Sequence, residues 1–311
     1  MSTFRWTDWT LDALVALKGT TTVSLVVPAR NEAATVGEVV ARLRAALMET
    51  VELVDEIVVI DSDSTDSTAE VAAAAGASVF ASAGIRPDLG TFPGKGEAMW
   101  KSLFVTTGDV IVFMDADLLE WDTHFVPGLL GPLLADPSVE LVKGFYERPG
   151  EAGPLDGGRV TELVARPVLA LGWPELAGLV QPLAGEWAIR RSLFESLSVP
   201  VGYAVEIASL IDTLGARGSG AIAQVDLGVR GHSHQGLLDL GLMATQLLAA
   251  VSRRLPGGQE SAAVAVASDA PDCDSARLTQ WARGGGGEIE PLVRDVLTHE
   301  RPPARAVQPA Q

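Results

Sequence analysis

A single cysteine, Cys273, stands among 311 residues. That excludes an intramolecular disulfide and a thiolate zinc cluster, and it leaves no argument for an oxidising compartment. Positive charge is also in deficit: 23 Lys and Arg face 40 Asp and Glu, a formal net charge of -17, and no Lys/Arg block occurs. A nucleic-acid backbone demands a basic face, so no nucleic-acid partner is expected. Long apolar runs are missing too. The most apolar helical stretch, Leu237 to Val251, contains Asp239 and Gln246 and falls short of a bilayer span, so no membrane anchor is expected. Met1 to Lys18 lacks a basic start followed by an apolar run and carries Asp8 and Asp12, unlike a signal peptide; a cytoplasmic protein is the expectation. Apolar residues are plentiful at 47%. They suffice for the core of one large α/β domain with a helical appendage, or of two small domains. No internal repeat is found.

Strand-like and helix-like segments alternate. Thr22-Val23-Ser24-Leu25-Val26-Val27-Pro28 is an apolar, β-branched run stopped by proline, the pattern of a buried parallel strand entering a loop. A helix is predicted next, with Thr35 as N-cap and Val36, Val39, Val40, Leu43 and Leu47 at helical spacing. Asp55 to Asp61 reads as a second strand, Ser67 to Ala75 as an alanine-rich helix stopped by Gly76, and Ala77 to Phe80 as a weaker strand. Gly94 to Ala98 leads a further helix, and Asp109 to Asp115 is the clearest strand. The alternation predicts an α/β fold with a mostly parallel sheet and helices on both faces. Ligands of such folds bind beyond the carboxyl ends of the strands. Three polar clusters lie at those ends: Pro28 to Glu32, Asp61 to Asp66, and Asp115 to Asp117. From Glu140 onward the spacing predicts a strand at Leu141 to Tyr146, helices around Val160 to Leu171 and Glu206 to Gly215, and a strand at Ala221 to Val225.

Asp115-Ala116-Asp117 places two carboxylates one residue apart after a buried strand, where their oxygens can meet a hard divalent ion. Such an ion neutralises a diphosphate as it leaves a sugar. A DxD tripeptide in isolation is more often a turn; its place after a buried strand favours function. Asp61-Ser62-Asp63-Ser64-Thr65-Asp66 suits a pyrimidine or ribose, and equally the capping of the next helix. The expectation is a division, with the first residues facing ligand and the later ones capping. Lys95, between Gly94 and Gly96 at a helix start, can meet phosphate oxygens or be a solvated lysine in a flexible turn. His232 and His234 form an i, i+2 pair that could give the carboxylates a third metal ligand or lie inert on the surface. Gly157-Gly158-Arg159-Val160-Thr161 can cradle an acceptor phosphate or be an ordinary helix start. Gly202-Tyr203-Ala204-Val205-Glu206 puts an acid at a helix mouth, to bind sugar hydroxyls or to favour the dipole.

Val27-Pro28-Ala29-Arg30-Asn31-Glu32, Asp61 to Asp66, Pro93-Gly94-Lys95-Gly96-Glu97 and Asp115-Ala116-Asp117, in this order, resemble the Rossmann-like GT-A glycosyltransferases. Gly158 to Pro167, Gln181-Pro182-Leu183-Ala184-Gly185-Glu186, Gly202 to Glu206 and Ala223 to Arg230 resemble one family among them, the actinobacterial glucosyl-3-phosphoglycerate synthases. The resemblance runs from about Val23 to Arg254. It implies a retaining transferase that moves glucose from UDP-glucose to the 2-hydroxyl of 3-phosphoglycerate with Mg²⁺, or with Mn²⁺ or Co²⁺ in its place. Carried over by matching positions, Pro28, Ala29, Glu32, Ser62 and Lys95 would hold UDP beside Asp115 and Ala116. Asp117 and His232 would bind the metal, with Asp115 supporting from beside. Glu206 would grip the glucose hydroxyls, and the backbone near Leu183 would orient the acceptor. Gly158, Arg159, Thr161, Tyr203 and His234 would receive the acceptor. A homodimer is implied, and no enzymic nucleophile. Two positions depart: Arg30 stands where the family commonly has leucine, and His234 where it commonly has asparagine. A GDP-mannose donor giving mannosyl-3-phosphoglycerate, another acceptor such as a polyprenyl phosphate or a different small acid, and a non-catalytic nucleotide-sugar binder are the alternatives. The expected organisation is an N-terminal extension (1–22), a nucleotide-sugar-binding half (23–146), an acceptor-binding half with a C-terminal helix (147–255) and a poorly ordered tail (256–311).

Overall fold

The computed structural model describes residues 1–147, 158–231, 236–255, 274–283 and 288–307. Its centre is an eight-stranded sheet. The strands that enter it are β1 (Ser2–Arg5), β2 (Val23–Ala29), β3 (Glu56–Asp61), β4 (Ser78–Ala81), β5 (Val110–Phe113), β6 (Leu141–Glu147), β7 (Trp187–Arg190) and, after the short β8 (Val199–Pro200), β9 (Ile222–Val229). Their spatial order is β1-β9-β6-β7-β5-β2-β3-β4. All neighbours run parallel except β7, which is antiparallel to both β5 and β6.

The apolar runs alternate between two cores, as strands buried on both faces must. Along β2, Val23, Leu25 and Val27 face one core, while Val26 faces the other; on β3, Ile57 and Val59 oppose Val58 and Ile60. The first core is covered by α1 (Leu11–Lys18), α2 (Val36–Arg44), α3 (Thr68–Ala74) and α5 (Phe125–Ala135). The second is covered by α4 (Lys95–Ser102), α6 (Arg166–Gly172), α7 (Arg191–Phe194), α8 (Val205–Arg217) and α9 (Leu237–Arg254). Each fully buried Val, Leu or Ile contributes about 1.5–3 kcal/mol, so the continuity of these runs dictates the sheet. Pro28 does not stop β2, which continues to Ala29 paired with β3. Its ring is tolerated because β5 pairs only Val23 to Val26, leaving no ladder bond for the missing N–H at Pro28. Thr35 occupies the N-cap position of α2, but its hydroxyl donates to the Glu32 carbonyl at 3.4 Å rather than capping the helix.

Two expected boundaries are corrected. Residues 1–22 are not an appendage: β1 pairs in parallel with β9 at the sheet edge, and Leu14 of α1 is wholly buried in the first core. The tail is structured over 274–283 and 288–307. β10 (Ser275–Arg283) and β11 (Ile289–Leu297) form an antiparallel hairpin, and β12 (Glu300–Arg301) pairs with β8. The alternation of this hairpin is weak because Ala276, Leu278, Gln280 and Ala282 form its less exposed side. A Gly-rich segment between two such strands reads as low complexity until their partners are known.

Candidate active site

The carboxyl ends of β2, β3 and β5 open into one cleft of about 590 Å³. Pro28, Ala29, Glu32, Ser62, Lys95, Asp115, Ala116 and Asp117 are among the residues that line it, and so are Gly158, Arg159, Thr161, Leu183, Tyr203 and Glu206. His232 and His234 lie outside the described residues.

The loops after β2 and β3 hold each other. Asn31, at φ 59°, donates its N–H to Ser64 Oγ at 2.9 Å, and its side-chain carbonyl accepts from the Thr65 N–H at 2.7 Å. The N–H groups of Glu32 and Ala33 donate to Thr68 Oγ1 and Asp66 Oδ2 at 2.8 and 3.2 Å. Asp66 also accepts the Thr68 N–H at 3.0 Å, so it ties the two loops together; the N-cap of α3 is Ser67, which makes no side-chain capping bond, and Ser62 lines the cleft. Crowding by burial and by Asp117, Asp115 and Asp66 pushes the Glu32 carboxyl up to about 7.

Lys95 sits at the first turn of α4, with Nζ 2.6 Å from Asp115 Oδ1 and 2.9 Å from Glu206 Oε1. Burial disfavours its charge, but the two carboxylates outweigh burial and hold the ammonium well above its ordinary range. The glycines beside it are steric necessities. A Cβ on Gly94 would lie 2.2 Å from the Val201 carbonyl oxygen, and one on Gly96 would lie 1.8 Å from that of Pro200. Gly185 is similar: its Cβ would fall 2.1 Å from Asp115 Oδ2, so the 183–185 loop can lie against that carboxylate only without a side chain.

Sequence reasoning assigned no role to the group that completes the charge arrangement. Arg230, just beyond β9, is buried and places Nη2 3.2 Å from Asp115 Oδ2 and 3.3 Å from Asp117 Oδ1. Its Nη1 donates to Tyr146 Oη at 2.9 Å, and that hydroxyl donates to the fully buried Glu186 at 2.7 Å. Beneath them Lys143, also buried, donates to the Ala184 carbonyl at 2.5 Å; burial pulls its ammonium down to about 7. The available signal was position, since Arg230 follows a strand just as Asp115 does.

Burial, then Asp115, raises the Asp117 carboxyl, while Arg230 and Lys95 counteract them. Asp117 is the more open of the pair, its side chain 48% exposed against 21% for Asp115. Two crowded carboxylates at the mouth of a cleft provide hard oxygen donors that fit Mg²⁺ or Mn²⁺. Among the described residues no third His, Cys, Asp or Glu joins them in a metal-holding group. Thr161, buried in the helical turn that follows Gly158 (φ 94°), and Arg159 also line the cleft. The Tyr203 N–H donates to Gln246 Oε1 of α9 at 2.9 Å, leaving its ring at the cleft.

Residues 24–176 match the family described as Glycosyl transferase family 2. The chain is 44% identical over 306 residues to the glucosyl-3-phosphoglycerate synthase of Mycolicibacterium smegmatis, covering 97% of this chain and 95% of that one. It is 48% identical over 237 residues to the protein of the same name from Petrotoga mobilis, covering 75% and 73%. A crystal structure of glucosyl-3-phosphoglycerate synthase from Mycobacterium tuberculosis with Mn²⁺, UDP-glucose and phosphoglyceric acid matches with a TM-score of 0.82 at 41% identity, over 98% of each chain. Another, with Mn²⁺, UDP and glucosyl-3-phosphoglycerate, matches with a TM-score of 0.80 at 42% identity, over 96% and 95%.

Proposed function

The chain belongs to the glucosyl-3-phosphoglycerate synthases, and on that premise we propose how its own residues carry the reaction. It transfers glucose from UDP-glucose to the 2-hydroxyl of 3-phosphoglycerate, giving glucosyl-3-phosphoglycerate and UDP. The observation that carries the assignment of roles is Lys95 lodged between Asp115 and Glu206, in a cleft that is also lined by Pro28, Ser62 and Arg159.

Pro28, Ala29, Glu32 and Ser62 receive the uridine, their loops held by Asn31, Ser64 and Asp66. Lys95 brings a fixed positive charge to the diphosphate, where negative charge grows as the sugar–oxygen bond breaks. Asp117, with Asp115 beside it, is the place for a divalent ion; Mg²⁺, Mn²⁺ or Co²⁺ would there neutralise the leaving diphosphate. His232 is proposed as its further ligand. Arg159 and Thr161 bind the acceptor phosphate, with Gly158 supplying the turn, and Tyr203 and His234 border the acceptor. Lys143 fixes the Ala184 carbonyl, and so the Leu183 backbone that orients the acceptor hydroxyl. Glu206 is buried and tied to Lys95, which suits gripping glucose hydroxyls rather than attacking carbon. Retention of configuration is therefore part of this reading, with the acceptor hydroxyl arriving on the face that UDP leaves.

No helix among the described residues is long and apolar enough to cross a membrane. A cytoplasmic homodimer completes the reading. Its support is the outer side of the β10–β11 hairpin, where Trp281, Ile289 and Val293 are 64, 63 and 53% exposed. GDP-mannose, a polyprenyl phosphate or other small acid, and a purely binding role are favoured by no observation of the site. A donor-by-acceptor activity matrix with product masses tests the reading: UDP-glucose with 3-phosphoglycerate should give the greatest turnover, and a preference for another pair would refute it.

A further inference from the structure

Glu97 stands two residues after Lys95, is wholly buried, and faces away from the chemistry. Its carboxylate is clamped by Arg301, 204 residues later, through Nε to Oε2 at 2.7 Å and Nη2 to Oε1 at 2.6 Å. Oε1 also accepts the Phe92 N–H at 3.3 Å, so one side chain closes the loop Phe92-Pro93-Gly94-Lys95-Gly96-Glu97 on itself. Arg301 donates to the Leu89 and Gly90 carbonyls at 2.8 and 3.1 Å and lies over the rings of Phe92 and Trp100 at 4.6 and 4.9 Å. The Trp100 indole N–H donates to the Pro302 carbonyl at 2.9 Å.

The same segment supports the loop on the other side. Arg301 pairs with Val199 in the β12–β8 bridge, and the Val201 N–H donates to the His299 carbonyl at 3.1 Å. The lysine loop rests on that support through Glu97 N–H to Val201 O at 2.9 Å and Gly96 N–H to Gly202 O at 3.3 Å. A buried ion pair is a weak source of net stability, since apolar residues of like volume serve as well or better. What a bidentate guanidinium–carboxylate pair adds is orientation, because its planar fork admits one geometry.

We infer that Arg301 and Glu97 form a positioning pair for Lys95, by which the C-terminal segment sets the height of that ammonium between Asp115 and Glu206. Neither residue touches substrate in this account, which rests on the donor reading above. Replacing one partner would strand the other's charge in the core, so the test uses the paired substitution Glu97→Gln with Arg301→Met, which removes both charges at similar volume. UDP affinity in the presence of Mg²⁺ is measured by calorimetry in the unsubstituted chain, the paired variant, Lys95→Met and the combination, with circular dichroism as the check on folding. Because the pair acts through Lys95, the paired substitution should weaken UDP binding about tenfold when Lys95 is present and less than about twofold in the Lys95→Met background. Equal losses in both backgrounds, an unfolded paired variant, or no loss with Lys95 present would each overturn the inference. Absence of UDP binding by the unsubstituted chain would overturn it together with the donor assignment.

Discussion

Arg230 Nη2 lies 3.3 Å from Asp117 Oδ1, so the carboxylate best exposed to a metal already has a buried cation beside it. The same guanidinium faces Glu186, which has no solvent contact. Arg230→Gln should therefore lower stability by about 3–5 kcal/mol by leaving a buried carboxylate without its counter-charge. Urea denaturation followed by circular dichroism reads this, and adding Glu186→Gln should recover much of the loss.

Asp117→Ala should cut metal-dependent turnover about 100-fold or more while leaving the circular dichroism spectrum unchanged, because the side chain is half exposed and supports no core. Full activity of that variant in EDTA would remove the carboxylate from the metal site.

Arg159→Ala should raise the KM for 3-phosphoglycerate about tenfold or more while the KM for UDP-glucose changes little, as expected for loss of a charge-assisted hydrogen bond to one ligand only. Initial rates with each substrate varied in turn separate the two constants, and an unchanged acceptor KM would place Arg159 outside that subsite.

Glu32, pushed up to about 7 from an ordinary 4.5, links stability to pH. Below 4.5 both folded and unfolded chains hold the proton, so nothing is lost. Between 4.5 and 7 the folded chain binds more protons than the unfolded one, and stability falls as pH rises; above 7 the loss is complete. Buried Lys143, pulled down to about 7, acts in the other direction: from 7 to 10.5 the unfolded chain binds more protons, and stability rises. Thermal melts in EDTA should show a decline between pH 5 and 7 that flattens in Glu32→Gln, and a rise above pH 7 that flattens in Lys143→Met.

If the proposed homodimer uses the outer side of the hairpin, Trp281→Glu should shift the mass measured by light scattering from two chains to one, since it replaces the most exposed of the apolar side chains Trp281, Ile289 and Val293 with a charge. A dimer that survives this change would locate the interface elsewhere.

Much of the framework was legible because strands buried on both faces are almost wholly apolar, Ser24 being the one polar residue in the three clearest runs. Val23 to Val27, Ile57 to Ile60 and Val110 to Phe113 declare themselves as strands, and the polar clusters that follow must then lie at one edge of the sheet. The edges of the domain were less legible. β1 and the β10–β11 hairpin are short or half-polar segments whose identity depends on distant partners, and local pattern does not report a partner.

Sequence alone therefore determined which polar clusters, Pro28 to Glu32, Asp61 to Asp66 and Asp115 to Asp117, follow the buried strands, because burial periodicity and loop chemistry are local properties. Tertiary structure alone decided how their charges are balanced. Arg230 reaches Asp117 across 113 positions and Arg301 reaches Glu97 across 204. A buried charge must find a counter-charge to offset its desolvation, but nothing in its own neighbourhood names which one the folded chain will bring.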